Sequence, residues 1–102
     1  KSGLEFDVGK QAIPTKQLEF IANVNKQLQR KNIEVKMFQF SNNANELIVV
    51  LTDKQYYAKY SFESDPRVQS GALIATIDEL QKQKKTPSEY IDVRVEERAY
   101  YK

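Results

Sequence analysis

Five consecutive apolar residues, Leu47-Ile48-Val49-Val50-Leu51, constrain the fold more than any other stretch of this chain. The run is rich in β-branched side chains and too short for a buried helix, so it reads as a strand. Its lack of alternation predicts a central strand covered on both faces. The run is flanked by turn chemistry: Ser41-Asn42-Asn43-Ala44-Asn45 before it and Thr52-Asp53-Lys54-Gln55 after it. A strand must therefore precede and follow it. Ile33, Val35 and Met37 alternate with polar residues before the apolar phase shifts to Phe38 and Phe40. Either a bulge near Met37–Phe38 or burial of both faces allows that shift. After the hairpin loop, Tyr56, Ala58, Tyr60 and Phe62 share one face, and Tyr57, Lys59 and Ser61 the other.

Helices flank this three-strand unit. Leu18, Ile21, Val24 or Asn25, and Leu28 follow one helical face. Thr15 is the predicted N-cap, with Glu19 in the first turn. This helix is expected to run to about Lys31 and to stop at Asn32. Asp65-Pro66 is the clearest helix start in the chain, because Asp caps free N–H groups and Pro fits the first helical position. Val68, Ala72, Leu73, Ile77 and Leu80 are its predicted buried stripe. Lys82, Lys84 and Lys85 complement the dipole at its C-terminus before Thr86-Pro87 ends it.

The ends complete the order. Leu4, Phe6 and Val8 alternate as a short opening strand between Gly3 and Gly9. Ile91, Val93 and Val95 alternate with Tyr90, Asp92 and Arg94 in a closing strand, and Glu96-Glu97 can turn it into a second short run, Ala99-Tyr100-Tyr101. Strand, helix, three strands, helix, strand is an α+β fold: a mostly antiparallel sheet with two helices on one face. The length of 102 residues suits one domain, 1–102.

Composition narrows the function. The chain has no Cys and no His. Thiol nucleophiles, disulfides, His-based triads and zinc sites of the usual kind are excluded. No phosphate-binding loop or metal-ligand spacing is present, so neither cofactor nor catalytic residues are expected. Asp92, Glu96 and Glu97 alternate with Arg94 and Arg98, which reads as ion pairing rather than acid–base chemistry. The net charge of +2 gives no general case for nucleic acid. Lys54–Lys59 and Lys82–Lys85 remain the alternative basic surface for that partner. No apolar run approaches the roughly 18 residues of a membrane helix. The chain begins at Lys1 rather than Met, and it is expected to be excised from a longer, membrane-anchored protein. What remains is a non-catalytic binding domain. Its terminal segment, Glu89–Lys102, pairs an apolar strand face with a charged one. Such a strand is either a protected edge or a docking strand.

Tyr90-Ile91-Asp92-Val93-Arg94 resembles the Tyr-Ile/Val-Asp-Leu/Val-Arg signature near the end of the extracytoplasmic β domain of the bacterial cell-division proteins FtsQ and DivIB. Ser2-Gly3-Leu4-Glu5-Phe6 is similar to the strand that opens that domain, and the intervening elements follow the family's order. Tyr57-Ala58-Lys59-Tyr60 departs from the family's Gly-containing strand. The resemblance implies a divisome scaffold without catalytic activity, acting in septum formation. It would lie on the extracytoplasmic side of the membrane, with a POTRA domain and a transmembrane anchor upstream of Lys1. It also implies FtsB- and FtsL-like partners, added as a strand beside the C-terminal strands. By position, Arg94 matches the family's Arg that pairs with an acidic partner residue. Val95 occupies the following contact position, often Tyr, and Glu97 and Tyr100 fall on the contacting side. With Val where an aromatic is usual, Tyr100 or Tyr101 becomes the expected anchor.

Overall fold

The computed structural model describes residues 6–7, 13–95 and 99–102. The elements are β1 (Phe6–Asp7), α1 (Thr15–Gln29), β2 (Val35–Phe40), β3 (Glu46–Leu51), β4 (Tyr57–Ser61), α2 (Pro66–Lys82), β5 (Tyr90–Asp92) and β6 (Tyr100–Tyr101). They form one sheet in the order β1-β2-β3-β4-β5-β6. β2, β3 and β4 make an antiparallel meander. β1 lies parallel to β2, and β5 parallel to β4. Parallel neighbours cannot be joined by a hairpin, so α1 and α2 serve as the two crossovers. β6 returns antiparallel to β5. The α+β class follows directly: two helices with a mostly antiparallel sheet. The predicted opening strand is described only at Phe6–Asp7; Leu4 and Val8 lie outside the described residues.

Register places the core on one face. Phe38 pairs with Val49, Val49 with Ala58, and Ala58 with Ile91. All four are buried, together with Leu47, Leu51, Tyr60 and Val93, and they pack in one cluster with Phe20, Ile21, Val24 and Leu28 of α1 and Leu73, Ile77 and Leu80 of α2. The neighbouring row, Gln39, Ile48, Lys59 and Asp92, turns to the opposite face and is only half-buried. β3 is central, as expected, but it is not covered on both faces. Ile48 and Val50 stay half-buried, supported by cross-strand neighbours rather than by a helix. The phase shift in β2 is a bulge. Val35 pairs with Leu51 and Met37 with Val50, so Lys36 is the extra residue. Phe20 packs edge-on against Phe62 at 5.0 Å, and Phe62 stacks on Phe40 at 5.9 Å, closing one end of the core.

The helix ends differ in how they are capped. Asp65 accepts a hydrogen bond from the Arg67 N–H at 2.8 Å and Pro66 opens α2, as the Asp-Pro pair predicts. α1 has no side-chain cap. Pro14 holds the N-cap position, Thr15 is already helical, and Glu19 lies beyond the first turn. α1 ends at Gln29 rather than Lys31. Both C-termini close through a left-handed residue: Asn32 at φ 60° and Lys84 at φ 58°. Ile33 donates to the Leu28 carbonyl and Asn32 to that of Gln29; Lys85 and Lys84 repeat the pattern with Leu80 and Gln81.

The buried stripes are shifted from those expected. Leu18 and Val68 are exposed, and Phe20, Gln69 and Ser70 are buried instead. The Gln69 amide meets both backbone groups of Ser61. Its Oε1 accepts from the Ser61 N–H at 2.7 Å, and its Nε2 donates to the Ser61 carbonyl at 2.9 Å. β5 pairs only with Tyr57–Lys59, so Gln69 supplies the bonds that a longer β5 would have made. Ser70 shares a 2.8 Å hydrogen bond with the buried Tyr60 hydroxyl. Burial pushes the Tyr60 phenol well above its ordinary range, only partly offset by Ser70.

Three stability changes follow. Gln69→Leu orphans the Ser61 backbone pair and is expected to cost about 1–3 kcal/mol in urea unfolding. Exchanging glycine out at one site and in at another should stabilise in both cases. Gly71→Ala in mid-α2, where an added Cβ meets nothing within 4 Å, should stabilise by about 0.5–1 kcal/mol. Lys84→Gly, which relieves a left-handed lysine, should also stabilise, by about 1 kcal/mol. Destabilisation by either would contradict the helix and cap geometry.

Candidate functional site

The terminal segment is built from β5 outward. Ile91 and Val93 are fully buried and anchor it to the core. Tyr57 N–H donates to the Glu89 carbonyl, and Val93 N–H to that of Lys59, so β5 is bound along β4. On the open face the Tyr57 and Tyr90 rings lie 6.0 Å apart, and Lys59 Nζ sits 3.9 Å from the centre of the Tyr90 ring. Tyr56 and Tyr60 face the core, and Tyr100 and Tyr101 are half exposed.

Arg94 closes the end of β5. Its N–H and Nε both donate to Asp92 Oδ1, at 3.0 and 2.9 Å, and its second terminal nitrogen donates to Oδ2 at 2.7 Å. The other terminal nitrogen donates to Glu46 Oε2 at 2.6 Å. Glu46 starts β3, so one guanidinium ties β5 to β3 across the intervening β4. Burial alone would raise the Asp92 carboxyl. The Arg94 hydrogen bonds and charge, helped by Lys59, outweigh it and hold Asp92 below the usual carboxylate value. The Asp92 bonds likewise raise Arg94 despite its partial burial. Arg94 is thus already committed to two carboxylates of its own chain. That pairing joins residues 48 positions apart, and no local spacing in the sequence points to it.

Within the terminal segment Glu89–Lys102 the sheet edge is the second short run, not the first. β5 is an interior strand, with β4 on one side and β6 on the other; β6 is the edge. Lys102 N–H donates to the Tyr90 carbonyl at 2.9 Å, and Tyr90 N–H to the Lys102 carbonyl at 3.1 Å. Lys102 and Tyr90 are therefore a hydrogen-bonded pair. Tyr101, opposite Ile91, falls in the next, non-bonded position of the antiparallel ladder. Its backbone N–H and C=O point away from β5. The Tyr101 side chain lies on the helix side, where it lines a cavity of about 370 Å³ with Thr76, Leu80 and Gln83 of α2. Tyr100, opposite Asp92, lies on the open face.

Of the expected partner residues, the structure brings Arg94, Tyr100 and Tyr101 to one corner of the sheet. Val95 has left the strand pattern and is 48% exposed. Glu97 lies outside the described residues, as do Glu96 and Arg98. The basic stretches do not share a face. Lys59 lies on the open sheet face, whereas Lys54 and Lys85 line one cavity beside α2. Among the described residues no group of three or more Asp and Glu side chains could hold a metal ion, and no helix is long and apolar enough to cross a membrane. Comparison with protein-family models and with curated proteins finds no match for this chain.

The Arg94 clamp has a pH signature. A carboxyl held below its unfolded value adds stability above that value and loses it as pH falls through the folded one. Asp92→Asn should lower stability at neutral pH and flatten the acid limb of the stability–pH curve. Arg94→Ala should cost about 1–2 kcal/mol, allowing for the clamp's partial solvent exposure. Unfolding curves at pH 7 and pH 3 check both; an unchanged acid limb in Asp92→Asn would show that the clamp carries no linkage.

Proposed function

We propose that this domain is a non-catalytic protein-docking module that accepts an extended partner segment as an added strand beside β6. The carrying observation is the β6 edge. Tyr101 presents an outward N–H and C=O, and Tyr100 and Tyr101, 50% and 49% exposed, stand on its two faces. Main-chain bonding to such an edge supplies affinity, and side-chain pockets supply selectivity. The cavity between Tyr101 and α2 is one such pocket. Tyrosines at an interface give large contact area with few rotatable bonds. Val95 adds a third exposed apolar side chain in the same terminal segment.

The Tyr90-Ile91-Asp92-Val93-Arg94 signature makes the FtsQ/DivIB type of divisome scaffold the reading to test, with FtsB- or FtsL-like segments as partners. On that reading the domain works outside the cytoplasmic membrane, carried by an anchor elsewhere in the protein, and contributes to septum formation. Arg94 then acts mainly by positioning the β5–β6 corner.

Tyr101→Pro tests strand addition. It removes the outward N–H together with the phenol ring but no bond to β5, because the Tyr101 N–H points away from that strand; loss beyond that of Tyr101→Ala, which removes the ring alone, reports on the main-chain bond. The proline variant should keep its circular dichroism spectrum and unfolding midpoint. It should lose an FtsB-type peptide by at least roughly tenfold in calorimetric titration. Tyr100→Ala with Tyr101→Ala should weaken the same peptide comparably. Undiminished binding to the proline variant sinks the reading.

A further inference from the structure

On the α1 side of α2 lies a groove of about 710 Å³ that the docking edge does not use. Its apolar floor comes from Ile33, just after α1, and from Ile74 and Ile77 of α2, and Gly71 opens one wall. Lys31, Lys54 and Arg67 stand around it. Among the described residues Lys31 and Lys54 have no ion-pair partner, and Arg67 meets only the exposed Asp65 at 3.7 Å. One carboxylate, Asp78, lines the groove, and Lys82 already pairs with it at 3.3 Å. Lys54 also borders the adjoining cavity, where Lys85 and the carboxylate of Asp53 stand beside it.

We infer that this groove docks an acidic amphipathic helix of a partner protein, its apolar face on Ile33, Ile74 and Ile77 and its carboxylates toward Lys31, Lys54 and Arg67. Charge complementarity selects the acidic partner: Lys31 and Lys54 have no ion pair among the described residues, Arg67 has only a long one with the exposed Asp65, and the carboxylate lining the groove is taken by Lys82. The aliphatic floor argues against single-stranded nucleic acid, which needs aromatic surfaces for base stacking. Gly71 fits the same occupant. Glycine weakens the middle of a helix, and packing within this chain does not require it, since an added Cβ meets nothing within 4 Å. A second backbone lying close to α2 at Gly71 supplies the missing reason. The site is separate from the β6 edge and stands or falls independently of it.

The probe is a pair of synthetic helical peptides with one Leu/Ala face in common, one bearing Glu and the other Lys on the polar face. They are titrated into the ¹⁵N-labelled domain. The Glu peptide should shift the amides of Lys31, Gly71, Ile74 and Ala75 and bind less tightly as salt rises; the Lys peptide should do neither. Lys31→Glu with Lys54→Glu and Arg67→Glu should weaken the Glu peptide by roughly tenfold or more with an unchanged circular dichroism spectrum. Gly71→Leu, which fills the groove from an open helical position, should weaken it comparably while leaving the fold intact. Equal binding of the two peptides, no shift in the groove, or undiminished binding to the folded variants would each overturn the proposal. Tighter occupation of the same amides by a single-stranded oligonucleotide would also overturn it, in favour of a nucleic-acid groove.

Discussion

Phe38, Val49, Ala58 and Ile91 sit opposite one another across four strands, all turned toward the helices. Side chains alternate faces along a strand, so this row fixes the orientation of every other residue in the sheet. A one-residue slip in any of the four strands would send its core set to the open face. Two features guard against that. The extra residue Lys36 lets Val35 and Phe38 both reach the core despite their odd spacing. Each crossover helix ends in a left-handed cap that sends the chain back toward the sheet.

Burial weakens toward the C-terminal edge, and polar bonds take over. β5 pairs with only three residues of β4, and β6 has only two residues. Where β5 stops, the Gln69 amide completes the bonding of Ser61. Where β5 turns, Arg94 gathers Asp92 and Glu46. Such bonds specify geometry more than they add net stability. They hold a short edge strand in register without extending the hydrophobic core beneath it.

The order of elements was legible because local signals carried it: the Asp65-Pro66 cap, the alternation from Tyr56 to Phe62, and the asparagine at the α1 terminus. What escaped the sequence was set by distant partners. The run Leu47–Leu51 reads as doubly buried, yet cross-strand neighbours half-cover Ile48 and Val50 without a second helical layer. Gln69 reads as surface because the Ser61 backbone that satisfies it is eight residues away on another element. At the candidate site, Tyr100 and Tyr101 were recognisable as exposed tyrosines near the chain end. The second short run, Ala99-Tyr100-Tyr101, was legible too and contains β6; that this run and not Tyr90–Asp92 forms the edge depends on β5 pairing with β4, which no local pattern announces.

The Arg94 clamp also changes what a partner could gain at this corner. A guanidinium free in solvent could offer an incoming carboxylate a new ion pair. Arg94 instead has hydrogen bonds to Asp92 and Glu46 at 2.6–3.0 Å. An acidic partner residue would have to displace one of them and leave a part-buried carboxylate behind, so the exchange yields little net free energy. Tyr100 and Tyr101 face no such competition. Their exposed rings lose water only when something covers them, and the outward groups of Tyr101 gain protein partners in the same step. On the strand-addition reading, affinity therefore resides in β6, while Arg94 sets the geometry that β6 presents.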